Sequence, residues 1–224
     1  MNTLTIRADA PLIRAPMLRR ALISGARRVI SQRDLLNKIN VFPVPDGDTG
    51  SNMAFTLGSI LTGALNRKAD STGELLRRVS EQAIDGARGN SGAILAQFFT
   101  GISERIGSRQ TASLELMAQA IRHGALSARQ ALSEPKEGTI LSVITVFAES
   151  LQTDVRGFHF KTWFESALMD ARRALANTPN QLPVLMKAGV VDAGAQGFVD
   201  LLEGVYQFIL EGEIDLQDEV ENAN

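Results

Sequence analysis

Residues 38–57 read KINVFPVPDGDTGSNMAFTL, and this stretch contains the clearest structural signal in the chain. Its first half includes Pro43 and Pro45, which do not fit the interior of a helix and therefore indicate a loop. Its second half starts an apolar pattern with helical spacing at Met53. The stretch predicts a glycine-rich, acidic loop that leads directly into a helix.

The same helical spacing recurs along the chain as eight apolar stripes. All seven prolines fall outside these stripes, as expected if the stripes are helices. No segment keeps a period of two, although residues 181–185 could be briefly extended. The sequence therefore predicts one all-α domain of about eight helices packed up and down. The stripes span residues 18–29, 53–64, 75–83, 94–106, 114–132, 140–151, 160–175 and 198–209.

Composition excludes several classes of protein and site. The 224 residues contain no cysteine, so disulfides, thiolate nucleophiles and zinc fingers are excluded. His123 and His159 are isolated from each other, which argues against a multi-histidine metal site or a histidine-based triad. No run approaches the roughly 18 apolar residues of a membrane span. Any catalysis must use carboxylates, backbone groups and metal.

Charge is distributed unevenly along the chain. The net charge is −2, but the last fourteen residues are strongly acidic and contain no base. The remainder has a mild positive excess, which suits an anionic ligand and is too small to indicate nucleic acid. We expect an N-terminal extension (1–15), one domain (16–210) and an acidic tail or linker (211–224). The N-terminus shows no export signal, so we expect a cytoplasmic protein.

Glycine is concentrated in four segments that each precede a helix. Helix N-termini attract anions, and glycine lets an anion approach the backbone, so four such turns at one end of a bundle would form a phosphate cradle. The structural alternative is a set of capped turns, with Asn90 or Ser91, Thr139 and Asp192 as the caps. The segments are PDGDTGSN (45–52), DGARGNSG (85–92), EGT (137–139) and VVDAGAQG (190–197).

Asp46 and Asp48 can point at one spot, because only Gly47 separates them. Two adjacent carboxylates repel each other unless a cation or a proton intervenes, and hard oxygen ligands favour Mg²⁺ or Ca²⁺. The alternative is an Asp-rich turn in which Thr49 or Ser51 caps the helix. An EF-hand is excluded, because Leu57 stands where its glutamate would be. The Asp-x-Asp loop of an aspartyl-phosphate phosphatase follows an apolar strand. Here Pro43 and Pro45 interrupt the apolar run, which argues against such a loop.

Four blocks together resemble the DhaL-like domain, that is, the dihydroxyacetone kinase L-subunit domain. The resemblance covers roughly residues 15–210 and is closest to the N-terminal domain of bacterial fatty acid kinase A subunits and to DhaL-like–DegV-like fusion proteins. It implies an eight-helix up-and-down antiparallel barrel that binds ATP or ADP with two Mg²⁺ ions at one end. The blocks are KINVFPVPDGDTGSNMAFTL (38–57), DGARGNSGAILAQFF (85–99), EGTILSV (137–143) and VVDAGAQGFVDLLEG (190–204).

The resemblance also assigns roles to individual residues. Asp46 and Asp48 match the metal-binding and catalytic aspartates. A looser match concerns residues in blocks that border the nucleotide, namely Thr139, Asp192 and Gly194. Arg88, within the second glycine loop, is not assigned to the site. The turns that would contact the nucleotide contain Thr49, Gly50, Ser51, Asn52, Asn90 and Ser91.

Asn40 marks a departure from the dihydroxyacetone kinases. Those enzymes have a third aspartate near this position, whereas Asn40 offers a neutral oxygen, so the second Mg²⁺ would be held more weakly or through water. Asn40 and the VFPVP segment (41–45) are typical of the fatty-acid-kinase-like branch. Chemistry favours the same branch, because a fatty acid carboxyl is ionised at pH 7 and attacks the γ-phosphate without a base, whereas a hydroxyl benefits from one.

The expected function is therefore Mg²⁺-dependent transfer of the γ-phosphate of ATP to an acyl carboxylate. In fatty acid kinases the acceptor arrives on a separate DegV-like fatty-acid-binding protein, which we expect here as a partner or fused domain. Two alternatives are a nucleotide-sensing module without turnover and a glycerone kinase-type phosphotransfer subunit. A helical scaffold without any ligand is a further alternative.

Overall fold

Helices make up most of the part of the chain that the structure describes. The computed structural model describes residues 12–152 and 160–221, with side chains of the last helix up to residue 212. A short π-helical segment, Ile60–Ala64, continues one helix. The elements are β1 (Leu12–Arg14), α1 (Ala15–Ser31), α2 (Arg33–Lys38), α3 (Thr49–Ser59), α4 (Thr72–Asp85), α5 (Gly89–Ile106), β2 (Thr111–Ser113), α6 (Leu114–Gln130), α7 (Ile140–Ser150), α8 (Phe160–Gln181), α9 (Pro183–Ala188) and α10 (Ala193–Glu221).

Eight long helices form a closed antiparallel ring, which confirms the predicted all-α up-and-down barrel. Neighbours around the ring follow chain order, from α1 through α3, α4, α5, α6, α7 and α8 to α10, and α10 packs against α1. Each of these helices corresponds to one of the eight apolar stripes. Because neighbours run in opposite directions, every second helix begins at the same end of the barrel.

Glycine allows α1 and α10 to approach closely and close the ring. A Cβ atom on Gly204 would lie 2.6 Å from the Cα of Gly25 and 2.7 Å from the Ser24 carbonyl oxygen. Atoms at that distance overlap, and backbone cannot move aside as a flexible side chain can. The absence of a side chain at position 204 is therefore a condition for this helix crossing.

Aromatic rings fill the centre of the barrel. The ring of Phe198 on α10 packs edge-on against Phe98 on α5, at 5.5 Å between centroids, and against Phe147 on α7, at 6.0 Å. Edge-to-face contacts of this kind are the favourable arrangement for buried aromatic pairs. Phe198 therefore packs α10 against both α5 and α7 in the core of the barrel.

Short elements account for the main differences from the sequence-based expectation. The strands β1 and β2 pair antiparallel, with Ile13 opposite Ala112, although the sequence has no sustained period of two. Residues 181–185, expected to be briefly extended, instead contain the start of α9, because Pro183 occupies a first-turn position where its missing N–H costs nothing. The helix α2 was also not predicted, because six residues are too few to show a helical period.

Pro179 lies inside α8, although prolines were expected only outside helices. A proline at this position cannot donate a hydrogen bond to the carbonyl of Leu175. The hydroxyl of Thr178 donates to that carbonyl instead, at 2.8 Å, so the freed acceptor is satisfied. The helix therefore continues to Gln181 past its proline.

Described helix and strand residues extend outside the expected domain range 16–210 at both ends, and the domain limits themselves stay a prediction. Within the expected N-terminal extension, Leu12–Arg14 pairs with β2, and Ile13 is buried in the core. At the other end, α10 continues past residue 210 to Glu221. Residues 1–11, and the side chains of 213–224 in the predicted acidic tail, lie outside the described residues. Across the described ranges, no helix combines the length and the apolar character that crossing a membrane requires.

Candidate functional site

Four helix N-termini meet around a cavity at one end of the barrel. The helices α3, α5, α7 and α10 all begin there, because they are alternate members of the antiparallel ring. The cavity has a volume of about 410 Å³. Each helix N-terminus carries the positive end of a helix dipole, so four of them together add positive potential to this end of the barrel.

The structure brings nearly all of the predicted site residues together in the cavity wall. They come from four separate segments of the chain, each of which precedes a helix. Only Gly50 and Ser51 do not line the cavity. The lining residues from the predicted set are Asn40, Asp46, Asp48, Thr49, Asn52, Asn90, Ser91, Thr139, Asp192 and Gly194.

The carboxylates of Asp46 and Asp48 are exposed at the cavity and have no bound partner. Asp48 occupies the N-cap position of α3, yet its side chain does not cap the helix. Among the described residues, neither carboxylate makes a hydrogen bond or an ion pair. The two carboxylates are therefore free to bind a cation.

Asn40 instead performs the capping of α3. Its Oδ1 accepts hydrogen bonds from the Thr49 N–H, at 3.0 Å, and from the Thr49 hydroxyl, while its Nδ2 donates to the Val44 carbonyl at 2.9 Å. Its side chain is buried, so these bonds are protected from water. The Asn40 carboxamide therefore fixes the loop that presents the two aspartates, and direct metal ligation by its oxygen stays a prediction.

Gly50 and Ser51 face α2 and lie away from the cavity. The Ser51 N–H donates to Asn37 Oδ1 at 3.0 Å, and Asn37 Nδ2 donates to the Ser51 hydroxyl at 2.9 Å. A Cβ atom on Gly50 would overlap the Arg33 carbonyl oxygen. These two residues thus attach the first turn of α3 to α2, and a direct nucleotide contact by either one stays a prediction.

The second glycine loop leaves the N-terminus of α5 uncapped. Gly89 has a φ of 58°, in the left-handed region that favours glycine, and a side chain there would overlap Asn52 of α3. The N-cap residue, Arg88, makes no capping side-chain bond. Its guanidinium instead lies over the Phe55 ring, 4.6 Å from the centroid. Asn90 and Ser91 therefore stand at an open helix N-terminus.

Asp192 joins the starts of α7 and α10. Its Oδ2 accepts hydrogen bonds from the Ile140 N–H, at 3.0 Å, and from the Ala195 N–H, at 2.8 Å. Burial raises the pKa of Asp192 to about 6, although the two amide hydrogen bonds oppose this shift. The capping role considered from the sequence therefore applies to Asp192, which also forms part of the cavity wall. It applies to Thr139 as well, whose hydroxyl oxygen accepts from the Leu141 N–H at 3.4 Å.

The loop before α7 is held by a small polar network. The Thr139 hydroxyl donates to the Lys136 carbonyl at 2.7 Å. The Ser142 hydroxyl donates to Glu137 at 2.6 Å and accepts from the Gly138 N–H at 2.9 Å. The hydrogen bond from Ser142, together with the ion pair to Arg129, lowers the pKa of Glu137. These contacts fix the position of the loop against the cavity.

Sequence reasoning missed the apolar part of the wall and two charged residues. Glu134 and Lys136 line the cavity from the loop before α7. Their neighbourhood, SEPKEGT, carries no spacing that indicates how the loop folds. Val44 between two prolines was an available signal, because an apolar residue in a loop is a candidate for contact with a ligand. The missed apolar residues are Phe42, Pro43, Val44, Ile94, Leu132 and Ile140.

The charges in the wall indicate what the cavity can bind. Acidic side chains predominate among the described residues of the wall. These are Asp46, Asp48, Glu134 and Asp192, and Lys136 is the one base among the same described residues. A polyphosphate would be repelled by such a wall unless cations accompany it. The described residues contain no cluster of three or more His, Cys, Asp or Glu side chains suited to a metal. Two free carboxylates nevertheless fit Mg²⁺, which commonly uses one or two carboxylates with phosphate and water oxygens.

Fold and site together define a helical-barrel domain whose ligand cavity is formed by helix N-termini. The chain belongs to the DAK2 domain family, which it matches over residues 43–207. This membership confirms the resemblance to the DhaL-like domain, while the link to fatty acid kinases stays a prediction.

Relatives of the chain occur in Staphylococcus aureus. Uncharacterized proteins of strains bovine RF122 / ET3-1, USA300 and NCTC 8325 / PS 47 are each 37% identical over 193 residues, which is 86% of this chain and 35% of each relative. The chain therefore spans about a third of the length of these relatives.

The barrel is also the fold of a solved kinase. The crystal structure of the dihydroxyacetone kinase from C. freundii in complex with AMP-PNP and Mg²⁺ has a TM-score of 0.66 at 16% identity, covering 92% of this chain and 36% of that chain. The native form of the C. freundii enzyme gives a TM-score of 0.62 at 17% identity, covering 92% and 37%. At these identities the comparison shows a shared fold.

Proposed function

We propose that this chain is a Mg²⁺-dependent ATP-binding kinase domain that transfers the γ-phosphate to an acyl carboxylate. The observation that carries the proposal is the meeting of four helix N-termini with two unpaired carboxylates in one cavity. Helix N-termini suit phosphate, and the carboxylates suit the metal that accompanies it. The C. freundii kinase that shares the fold was solved with AMP-PNP and Mg²⁺, which supports the same ligand class here.

Each part of the wall has a role in this proposal. Asp46 and Asp48 would hold the metal, which neutralises phosphate charge and orients the phosphates when bound. The first turns of α5 and α10 would direct N–H groups at the remaining phosphate oxygens, and the dipoles of α3 and α7 would add positive potential. Apolar residues such as Phe42 and Ile94 would contact the base. Asn40 would position the two aspartates through its bonds to Thr49.

The acceptor in this proposal is an ionised carboxylate. One of its oxygens attacks the γ-phosphorus, a P–O bond forms, the bond to the bridging oxygen breaks, and ADP leaves with that electron pair. No histidine lines the cavity among the described residues, and a carboxylate needs no base to attack at neutral pH. We further propose that a DegV-like fatty-acid-binding protein or domain delivers the acceptor, as the resemblance to fatty acid kinases implies.

Calorimetric titration with ATP and ADP, with and without Mg²⁺, tests the binding step. Asp46→Ala and Asp48→Ala should each weaken Mg²⁺-dependent binding at least about tenfold, because each removes a charged ligand. Asp70→Ala is the matched control. It removes one exposed carboxylate from the turn before α4, at the opposite end of the barrel, and should leave binding unchanged. Equal affinities in all four proteins would contradict the site.

Turnover assays separate a kinase from a nucleotide-sensing module. With a fatty-acid-loaded DegV-like partner, the chain should consume ATP and form an acyl phosphate, which hydroxylamine traps. Binding of ATP without turnover in the presence of the partner would favour the sensing module. Turnover with dihydroxyacetone as the acceptor would instead favour a glycerone kinase-type subunit.

A further inference from the structure

Lys136 is the single basic residue in the described wall of the cavity. Its ammonium lies 3.4 Å from a carboxylate oxygen of Glu134, and both side chains line the cavity. The pair is open to solvent, with side-chain exposures of 55% for Lys136 and 80% for Glu134. An exposed ion pair of this kind contributes little to folding and is easily exchanged for another partner.

The backbone of Lys136 is nevertheless held in place. Its carbonyl accepts the hydrogen bond from Thr139 at 2.7 Å, and Glu137 next to it is paired with Arg129 and bonded to Ser142. A fixed backbone with an exposed, weakly paired side chain suits a contact to a ligand, because the backbone is already ordered and only the side chain loses conformational entropy on binding.

Lys136 also approaches the cavity from the side opposite the aspartates. It lies before α7, whereas Asp46 and Asp48 lie before α3, and α3 and α7 are separated by three helices in either direction around the ring. A phosphate chain attached through a metal to the aspartates would therefore present its other oxygens toward Lys136.

We propose that Lys136 binds the phosphate chain of the nucleotide directly and that Glu134 competes for it when no nucleotide is bound. This inference rests on the proposed function. A phosphate group carries more negative charge than a carboxylate and forms charge-assisted hydrogen bonds with an ammonium, so it displaces Glu134 from the pair. Lys136 is then a nucleotide-binding residue, and Glu134 reduces the affinity for the nucleotide.

Titration of the chain with ADP in Mg²⁺ tests the inference through two variants with opposite expected effects. Lys136→Met keeps the length of the side chain and should weaken binding about tenfold, which corresponds to one lost charge-assisted contact. It should also make the affinity less dependent on salt concentration. Glu134→Gln should strengthen binding about two- to threefold, because it removes both the competitor and a repelling charge. Lys68→Met, in the exposed turn before α4 at the far end of the barrel, is the control and should bind as the parent does.

Three results would overturn the inference. If the parent binds ADP and Lys136→Met binds it equally well, Lys136 does not contact the phosphates, while the proposed function stands. If both variants weaken binding, the pair has a structural role in the loop. If the parent binds no nucleotide under any condition, the proposed function fails and this inference fails with it.

Discussion

At the scale of single residues, Asp192 couples the site to the stability of the fold. Burial raises its folded-state pKa to about 6, whereas the ordinary value is 3.8. Between these values the unfolded chain has released the proton and the folded chain retains it. The contribution of Asp192 to the free energy of unfolding is therefore complete below about pH 4 and is lost as the pH rises to about 6.

Asp192→Asn should remove this dependence on pH. An asparagine oxygen can still accept from the Ile140 and Ala195 N–H groups, but it does not titrate. Relative to the parent, we expect the free energy of unfolding of the variant to rise by about 2–3 kcal/mol between pH 4 and pH 7. Urea denaturation of both proteins at several pH values measures this difference in the free energy of unfolding.

Glu137→Gln should change the pH dependence of stability in the opposite direction to Asp192→Asn. Hydrogen bonding from Ser142 and the ion pair with Arg129 lower the pKa of Glu137 in the folded state, so its contribution is present above its ordinary pKa and is lost on acidification. This variant should therefore lose stability relative to the parent as pH rises. Parallel pH curves for the parent and Asp192→Asn would contradict the account of Asp192.

The sequence pointed to residues of the candidate site most clearly where neighbouring positions in the chain carry the signal. Asp46 and Asp48 were recognisable because Gly47 alone separates them, and Asp192 because it directly precedes a helix. The orientation of Ser51 could not be predicted, because it depends on Asn37 in a helix too short to detect. Lys136 was missed because only the folded loop brings it to the cavity.

At the scale of helices, the crossing of α1 and α10 sets a strict limit on side-chain size. Gly204→Ala would place a methyl group 2.6 Å from the Cα of Gly25, so the two helices would have to separate. Overpacking of this kind should destabilise the chain by about 1–3 kcal/mol. Denaturant unfolding of the variant and the parent measures the loss.

Gly58→Ala is the matched control for this prediction. Gly58 lies in α3, and a Cβ atom there would meet nothing within 4 Å. Alanine should stabilise the helix at this position by about 0.5–1 kcal/mol, because it lowers the entropy of the unfolded chain. If both substitutions stabilise the chain, the crossing is looser than the structure indicates.

Long helices were predictable because each buries one face along its whole length. The stripe at residues 94–106 corresponds to α5, and the stripe at 198–209 lies within α10. The strand pair was not predictable, because three-residue strands are too short for an alternating pattern to establish a period. The extension of α8 through Pro179 depends on the hydroxyl of Thr178, which helix-breaking rules do not include.

At the scale of the whole molecule, the four helix N-termini at one end predict where a nucleotide acts. With Mg²⁺ and ADP, hydrogen exchange at short labelling times should slow in the first turns of α5 and α10, because N–H groups that have no partner among the described residues there become bonded. The turns at residues 65–71 and 107–110, at the opposite end, should exchange as before. Uniform slowing across both ends would contradict binding in this cavity.

The periodicity of apolar residues could not predict that the ring of helices closes. A stripe shows which face of a helix is buried but does not show which neighbour covers it. The pairing of α1 with α10, far apart in sequence, depends on Gly25 and Gly204, which are unremarkable in the sequence. The barrel was predicted through the resemblance of four motif blocks.

The start of α1 and the far end of α10 both point away from the cavity, because α1 ends near the cavity and α10 begins there. α10, with 29 residues, is about 43 Å long, so it extends well beyond the start of α1, whose 17 residues span about 25 Å. Polypeptide attached at either point would emerge on the far side of the molecule. Attachment at either point would therefore leave the entrance of the cavity unobstructed.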